Sequence, residues 1–525
     1  LRFTRPLRYR LRHSSTGGNR APPARNATAG SARDRNGAVP SLFDRLLSGS
    51  GRIATIDAAK AAPPPSPLAP VDLTDQAQVA AVMDLAVRIG DILLSSGTSN
   101  SDTKAQIHAV ASAYGLHYCH VDITMNTITA FTQIGTTRKT PVTVFRVVRK
   151  MTLDFSRLSE VDRLIRSIQA GATPPEMAEK ILDDIVRRPA SYGVFTAILG
   201  WGILGGAVAG LLGGGPLVVG TAFLTAVLIM SMNTFLERHR LPYFFQNVFG
   251  GIVATVPAAL IYAVASERGL QNSPSQVIAS GIIVLLAGLT LVQSLQDGIT
   301  GAPVTASARF FETMLFTGAI VAGVGIGIQL VSMMGIALPP LQTYAPPNFT
   351  SIGVRVMCGG LAAAAFAVAC YAEWSSVLLS GITGTAGSAF YYLVLIPSGT
   401  GPVIASSMAA VVVGLAGGLL ARRFLIPPLI TAVAGITPFL PGLSVYRGMY
   451  ASLHEQTLAG FTNIALALAI ASGLAAGVVL GEWIAARLRR PPTLRPYRYF
   501  RRARRVTFQQ LAERPTRRVR KNPRT

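Results

Sequence analysis

Two kinds of hydrophobic pattern divide the chain, and the change falls near residue 190. Before it, apolar positions recur with the periods of packed helices and strands. Val79 to Leu94 has helical spacing, and a turn over Ser95–Ser101 precedes a helix from Asp102 to Tyr114. Apolar and polar positions then alternate through His117–Met125, Thr127–Gln133 and Pro141–Val148, the period of half-buried strands. Helical spacing returns in Ser159–Ala170 and Pro174–Arg187. The order α-α-β-β-β-α-α predicts a small α+β domain over 72–189.

From Tyr192 onward the stretches are apolar on every side. Ten of them stand near 192–212, 216–235, 246–266, 276–294, 310–331, 355–372, 376–396, 402–420, 424–441 and 461–484. A hydrocarbon core about 30 Å thick takes about 20 apolar residues per helix, and lipid satisfies no backbone polar group. The pattern therefore predicts a polytopic α-helical membrane protein of about ten transmembrane helices. It divides into a first half over 190–335 and a second over 352–486. Gly202, Gly206 and Gly210 make a small-residue stripe suited to helix packing.

The halves echo one another. Ala287-Gly288-Leu289-Thr290 returns as Ala434-Gly435-Ile436-Thr437, each before a polar, Gly-containing segment and a Gly/Ala-rich helix. Five is odd, so two five-helix halves would run in opposite directions. Inverted repeats of this kind point to a transporter with its site between the halves.

Composition agrees: half of the residues are hydrophobic and 14% are charged, against about 25% charged in soluble domains. A net charge of +24 would suggest nucleic acid, but its location excludes that. Residues 1–52 hold 11 Arg against Asp34 and Asp44, and residues 487–525 hold 14 Arg and Lys521 against Glu513. Basic segments beside membrane helices are expected to meet anionic lipid. Residues 1–71 read as a disordered linker, Arg-rich and then Pro-rich, without the apolar run of a secretory signal. Residues 487–525 read as a basic tail. The positive-inside rule puts that tail in the cytoplasm of a bacterial inner-membrane protein, and ten crossings bring the N-terminus and soluble domain there too. Arg238, Arg240, Arg422 and Arg423 then fall inside, and the uncharged loop 332–351 outside. Arg268, Arg355 and Arg447 fall outside, against the rule. Cys119, Cys358 and Cys370 make no disulfide framework. No cofactor or metal pattern is read.

Polar residues that interrupt the apolar stretches are the candidate chemistry. Gln293, Gln296, Asp297 and Gly298 end the fourth stretch, with Arg309 and Glu312 beyond. Ionisable groups at membrane depth are costly and usually functional. Asp297 would bind a proton or a substrate ammonium. The bland alternative makes 296–309 a cytoplasmic loop, with Arg309 and Glu312 a surface pair. Thr437, Pro438 and Pro441 break the ninth stretch, and broken helices expose the amides and carbonyls that bind small zwitterions. A plain kink is the alternative. Arg447 could hold a carboxylate or anchor the interface. Glu312, and Glu373 beside Trp374, are further proton candidates, Glu373 being otherwise an interface feature. In the soluble domain Ser99, His120 and Asp122 allow a hydrolase site to be drawn, although Ser99 is more simply a helix cap and no nucleophile elbow is present.

These residues carry a resemblance. Arg88–Gly97 followed by Ser99-Asn-Ser-Asp102, His120-Val-Asp122-Ile-Thr124, Leu158–Thr173, Gly288–Phe311, Cys370–Ser375, Ala421–Pro428, Ile436–Leu443 and Tyr446–Tyr450 together resemble the actinobacterial threonine/serine exporter family. The resemblance covers roughly 50–490. It implies a cytoplasmic N-terminal domain, ten membrane helices and export of L-threonine and L-serine driven by the proton motive force. Cys119 stands where the family pattern leads one to expect a hydroxyl residue. Against a proton-coupled antiporter stand two rivals, a membrane-anchored peptidase or amidase and a passive amino-acid channel.

Overall fold

A computed structural model describes residues 72, 75–134, 140–149, 152–171, 173–269, 273–285, 287–336, 352–453 and 456–488. The expected linker, most of the loop 332–351, the basic tail and their lipid contacts lie outside the described residues.

The N-terminal part begins with α1 (Gln76–Ser95), capped by Asp75, which accepts from the Ala77 amide. Helix α2 (Asn100–Ala113) starts at Ser99, whose hydroxyl accepts from the Asp102 amide. Asp102 in the first turn suits the positive end of the helix. Strands β1 (Cys119–Thr124), β2 (Thr127–Ile134) and β3 (Thr140–Val147) form an antiparallel sheet in chain order. Val121 lies opposite Ala130, and Phe131 opposite Thr143. Helix α3 (Phe155–Gln169), capped by Asp154, and α4 (Pro175–Arg187) follow. Val79, Met83, Ile89, Ile107, Ile128, Ile165 and Leu182 are buried between these elements.

Eight helices among the described residues are long and apolar enough to cross a membrane. They are α5 (Val194–Leu211), α6 (Pro216–Arg238), α7 (Tyr243–Glu267), α10 (Pro303–Met333), α11 (Ile352–Ala369), α12 (Trp374–Phe390, continued by a π-turn to Leu395), α13 (Pro402–Phe424) and α16 (Thr457–Leu488). Helices α8 (Pro274–Val284) and α9 (Ala287–Ile299) would together make a ninth span, bent by 46°. Helix α14 (Pro428–Ile436) runs into a 3-10 turn at Thr437–Phe439 and, beyond Pro441, into α15 (Gly442–Leu453). Prolines donate no amide hydrogen, so Pro438 and Pro441 end the α-helical ladder there. Leu224, Leu361 and Phe461 are mostly exposed on the outer faces of these helices. So much outward apolar surface belongs in lipid, and the chain is a polytopic helical membrane protein.

The helices pack in two similar sets. In the first, α5 lies on α6, α6 on α7, α7 along α10, α8 against α6 and α7, and α9 along α10. In the second, α11 lies on α12, α12 on α13, α13 along α16, α14 against α12 and α13, and α15 along α16. The sets meet where α5 crosses α11 and where α8 meets α15.

Candidate functional site

Asp297 is 1% exposed, in the last turn of α9. The chain turns back at Gly301, with φ of +95°, a conformation that glycine adopts without strain. This turn lets α10 run beside α9 and deliver Arg309. Arg309 Nη1 donates to Asp297 Oδ2 at 2.7 Å, and its side chain is 12% exposed. Glu312, one turn on, is exposed. The sequence allowed a surface pair of Arg309 with Glu312. Arg309 pairs with Asp297 instead, because a buried carboxylate has the stronger need of a counter-charge.

The N-terminal elements cover this pair. The Asn100 backbone amide donates to Asp297 Oδ1 at 3.3 Å. Thr305, buried in the first turn of α10, accepts from Asn100 Nδ2 at 2.8 Å and from the Met125 amide at 3.0 Å. The start of α2 and the β1–β2 hairpin thus both rest on the α9–α10 connection. A cavity of about 20 Å³ remains, bounded by Thr98, Asp102, Gln293, Gln296 and Glu482. That is room for about one water rather than an amino acid. Four buried atoms around Asp297 and Arg309 have no hydrogen-bond partner: Thr98 Oγ1, Asn100 Oδ1, Gln293 Nε2 and Arg309 Nη2.

The domain is held at two further connections. The Phe155 amide donates to the Cys370 carbonyl at 2.9 Å, and its ring packs on Phe366 with centroids 6.2 Å apart. Arg163 donates to Glu373 at 3.3 Å, and Arg166 Nη2 to the Leu425 carbonyl at 2.8 Å. Glu373, at the start of α12, is therefore part of a docking contact.

The remaining candidates lie elsewhere. Gly298 is exposed and packs near Ala306. Thr437 is buried, its hydroxyl donating to the Val433 carbonyl at 3.1 Å. A Cβ on Gly288 would meet Leu440 Cβ at 3.3 Å and Pro441 Cδ at 3.4 Å, and one on Gly442 would strike Ile283. The break at 437–441 thus packs against Ile283 and Gly288, at the facing ends of α8 and α9. Nine residues of helix, about 13 Å of rise, separate Gly288 from Asp297. The structure does not join Asp297 and its neighbours to Thr437, Pro438 and Pro441 in one cradle. Arg447 is partly buried on α15.

The hydrolase constellation is not assembled. The Ser99 hydroxyl donates to Asp102 Oδ2 at 3.0 Å. His120 is exposed and stacks on Phe131 with centroids 6.5 Å apart. Asp122 takes Lys104 Nζ at 3.0 Å, a bond that holds its carboxyl below the usual range. Burial pushes the Cys119 thiol up to about 11, so it stays protonated. Asn100, Thr305, Thr98 and Glu482 escaped the sequence reading. Asn100, Thr305 and Thr98 are ordinary polar residues, whereas Glu482 interrupts the tenth apolar stretch and carries the same signal as Asp297.

The profile of a family described as "Putative threonine/serine exporter" matches residues 84–331, and one described as "Threonine/Serine exporter, ThrE" matches 355–484. The chain is 67% identical over 475 residues to a threonine/serine exporter of Corynebacterium glutamicum, covering 90% of this chain and 97% of that one. It is 38% identical over 415 residues to a "Probable threonine/serine exporter" of Mycobacterium tuberculosis, covering 78% and 77%. The chain belongs to the threonine/serine exporter family. Members of this family are named as exporters, and the chain is a membrane transporter rather than an enzyme. No solved structure matches it.

Proposed function

We propose that this chain exports L-threonine and L-serine from the cytoplasm, one proton or more entering as each amino acid leaves. It does so by alternating access between two inverted five-helix halves, 190–335 and 352–486, with the 72–189 domain and both termini in the cytoplasm. The observation that carries the reading is the ion pair of Asp297 and Arg309, 2.7 Å long and almost wholly buried. A charge pair at the edge of lipid is costly to keep, and in transporters such pairs relay protons or hold substrate. A proton arriving at Asp297 would release Arg309, and that exchange is the coupling step.

The two sets of packed helices support the repeat, since each contact in the first has its counterpart in the second. The touching breaks at 283–288 and 437–442 suit the pivot between halves. The ten crossings are supported by where the domain touches. It meets the α9–α10, α11–α12 and α13–α14 connections, which fits a reading in which α8 with α9 makes one crossing. Glu482, near the end of α16, shares the cavity beside Asp297, which fits a reading in which α14 with α15 makes another. Anionic lipid remains the proposed partner of the basic ends.

The test uses inside-out vesicles carrying the full chain. With an acidic lumen they are expected to take up labelled threonine, and a protonophore is expected to abolish the uptake. Flux that follows only the threonine gradient, indifferent to ΔpH and protonophore, would mean a passive channel and overturn the reading.

A further inference from the structure

We propose that the soluble domain completes the cytoplasmic binding site for the amino acid, through Thr98 and Asn100. The proposal rests on the export reading above and adds a substrate role for a domain outside the membrane.

Buried polar atoms nearly always find partners. Four beside Asp297 and Arg309 have none, and they divide by chemistry and by origin. Gln293 Nε2 and Arg309 Nη2 are donors, and both belong to membrane helices. Thr98 Oγ1 and Asn100 Oδ1 can accept, and both belong to the N-terminal domain, Thr98 in the turn between α1 and α2 and Asn100 as the first residue of α2. A zwitterion with a side-chain hydroxyl needs this set. Its carboxylate takes the Arg309 and Gln293 donors, and its ammonium takes Asn100 Oδ1. Its hydroxyl pairs with that of Thr98, since each can donate or accept. Thr98, Gln293 and Arg309 line the cavity together with the carboxylates of Asp102 and Glu482, which favour the ammonium, and Asn100 adjoins it through its amide on Asp297.

The site is closed in this structure, since about 20 Å³ cannot hold an amino acid. Loading therefore requires the turn at 97–100 to lift from α9. The bound amino acid then bridges domain and membrane helices, because its two charged ends are satisfied from opposite sides. Recognition and docking become one event, and the Asp297–Arg309 pair lies within it.

Thr98→Val and Gln293→Leu test this in the full chain, because each removes a side-chain atom without a partner, Thr98 Oγ1 or Gln293 Nε2, and nearly keeps the side-chain volume. If these groups were only structural, the change would leave thermal stability equal or higher and transport untouched. Threonine counterflow in reconstituted vesicles, with no proton gradient, reads the site apart from coupling. Thr98→Val is expected to raise the half-saturating threonine concentration about tenfold and to erase a similar preference for threonine over valine, one lost hydrogen bond's worth. Gln293→Leu is expected to weaken threonine and valine alike. Stable variants with unchanged half-saturation and unchanged preference would overturn the site while leaving export standing. A wild-type protein that exchanges no threonine would overturn both.

Discussion

Two residues carry most of the cost at the centre of the molecule. Arg309 neutralises a carboxylate that is 2% exposed, so Arg309→Ala leaves a buried charge alone. The expected loss is about 3–5 kcal/mol of stability, and removing both charges in Asp297→Asn/Arg309→Ala should recover most of it. Thermal melts of the purified variants check this, and equal losses in both would contradict it. In the soluble domain, burial holds His108 below the usual imidazole range, with the charges of His120 and Lys104 adding to the effect. The folded domain thus favours neutral His108. Its contribution is full above the unfolded value of about 6.5 and is lost as pH falls below it. The melting temperature of the full chain should drop between pH 7.5 and 5.5, and His108→Gln should lessen the drop. A variant with an identical pH dependence would contradict the assignment. None of these partnerships was legible in the sequence. Asp297 stood out as polar in an apolar run, but its partner was read as Glu312's, because spacing along one helix is visible and contact between two helices is not.

Elements pair through glycine. A Cβ on Gly323 of α10 would lie 2.0 Å from the Val248 carbonyl oxygen of α7, and one on Gly481 of α16 would lie 2.4 Å from that of Val411 on α13. Backbone cannot yield as a side chain can. Gly323→Ala and Gly481→Ala are therefore expected to abolish monodisperse protein on size-exclusion chromatography. Gly318→Ala, where nothing lies within 4 Å, should leave the profile unchanged. If all three behave alike, these contacts are looser than described. Apolar stretches told plainly of membrane helices, since a helix facing lipid needs no polar side. The prolines at 438 and 441 marked the end of α14 for a reason visible in their chemistry. The bend between α8 and α9 has no such marker. The segment 296–309 could be read as a loop because its charges looked solvated, yet helix resumes at Pro303 and the charges are buried against each other.

At the scale of the whole molecule, the N-terminal α/β elements are seated on three helix connections rather than tethered beside them. Thr305 accepts two hydrogen bonds from these elements, so Thr305→Val should strand two buried donors at about 1–3 kcal/mol each. Hydrogen exchange is then expected to quicken at 98–103 and 123–127 while the membrane helices keep their protection, and unchanged exchange would contradict that seating. The seating was beyond sequence reading, because it joins residues about 200 positions apart, as in Asn100 with Asp297 and Thr305. The central claim is that Asp297 couples proton entry to amino-acid exit. Threonine uptake into inside-out vesicles with an acidic lumen, compared for wild type and Asp297→Asn, tests it most directly. The account predicts that the variant still exchanges threonine for threonine but no longer accumulates it in response to ΔpH. Accumulation at the wild-type rate and with the wild-type dependence on ΔpH would contradict it.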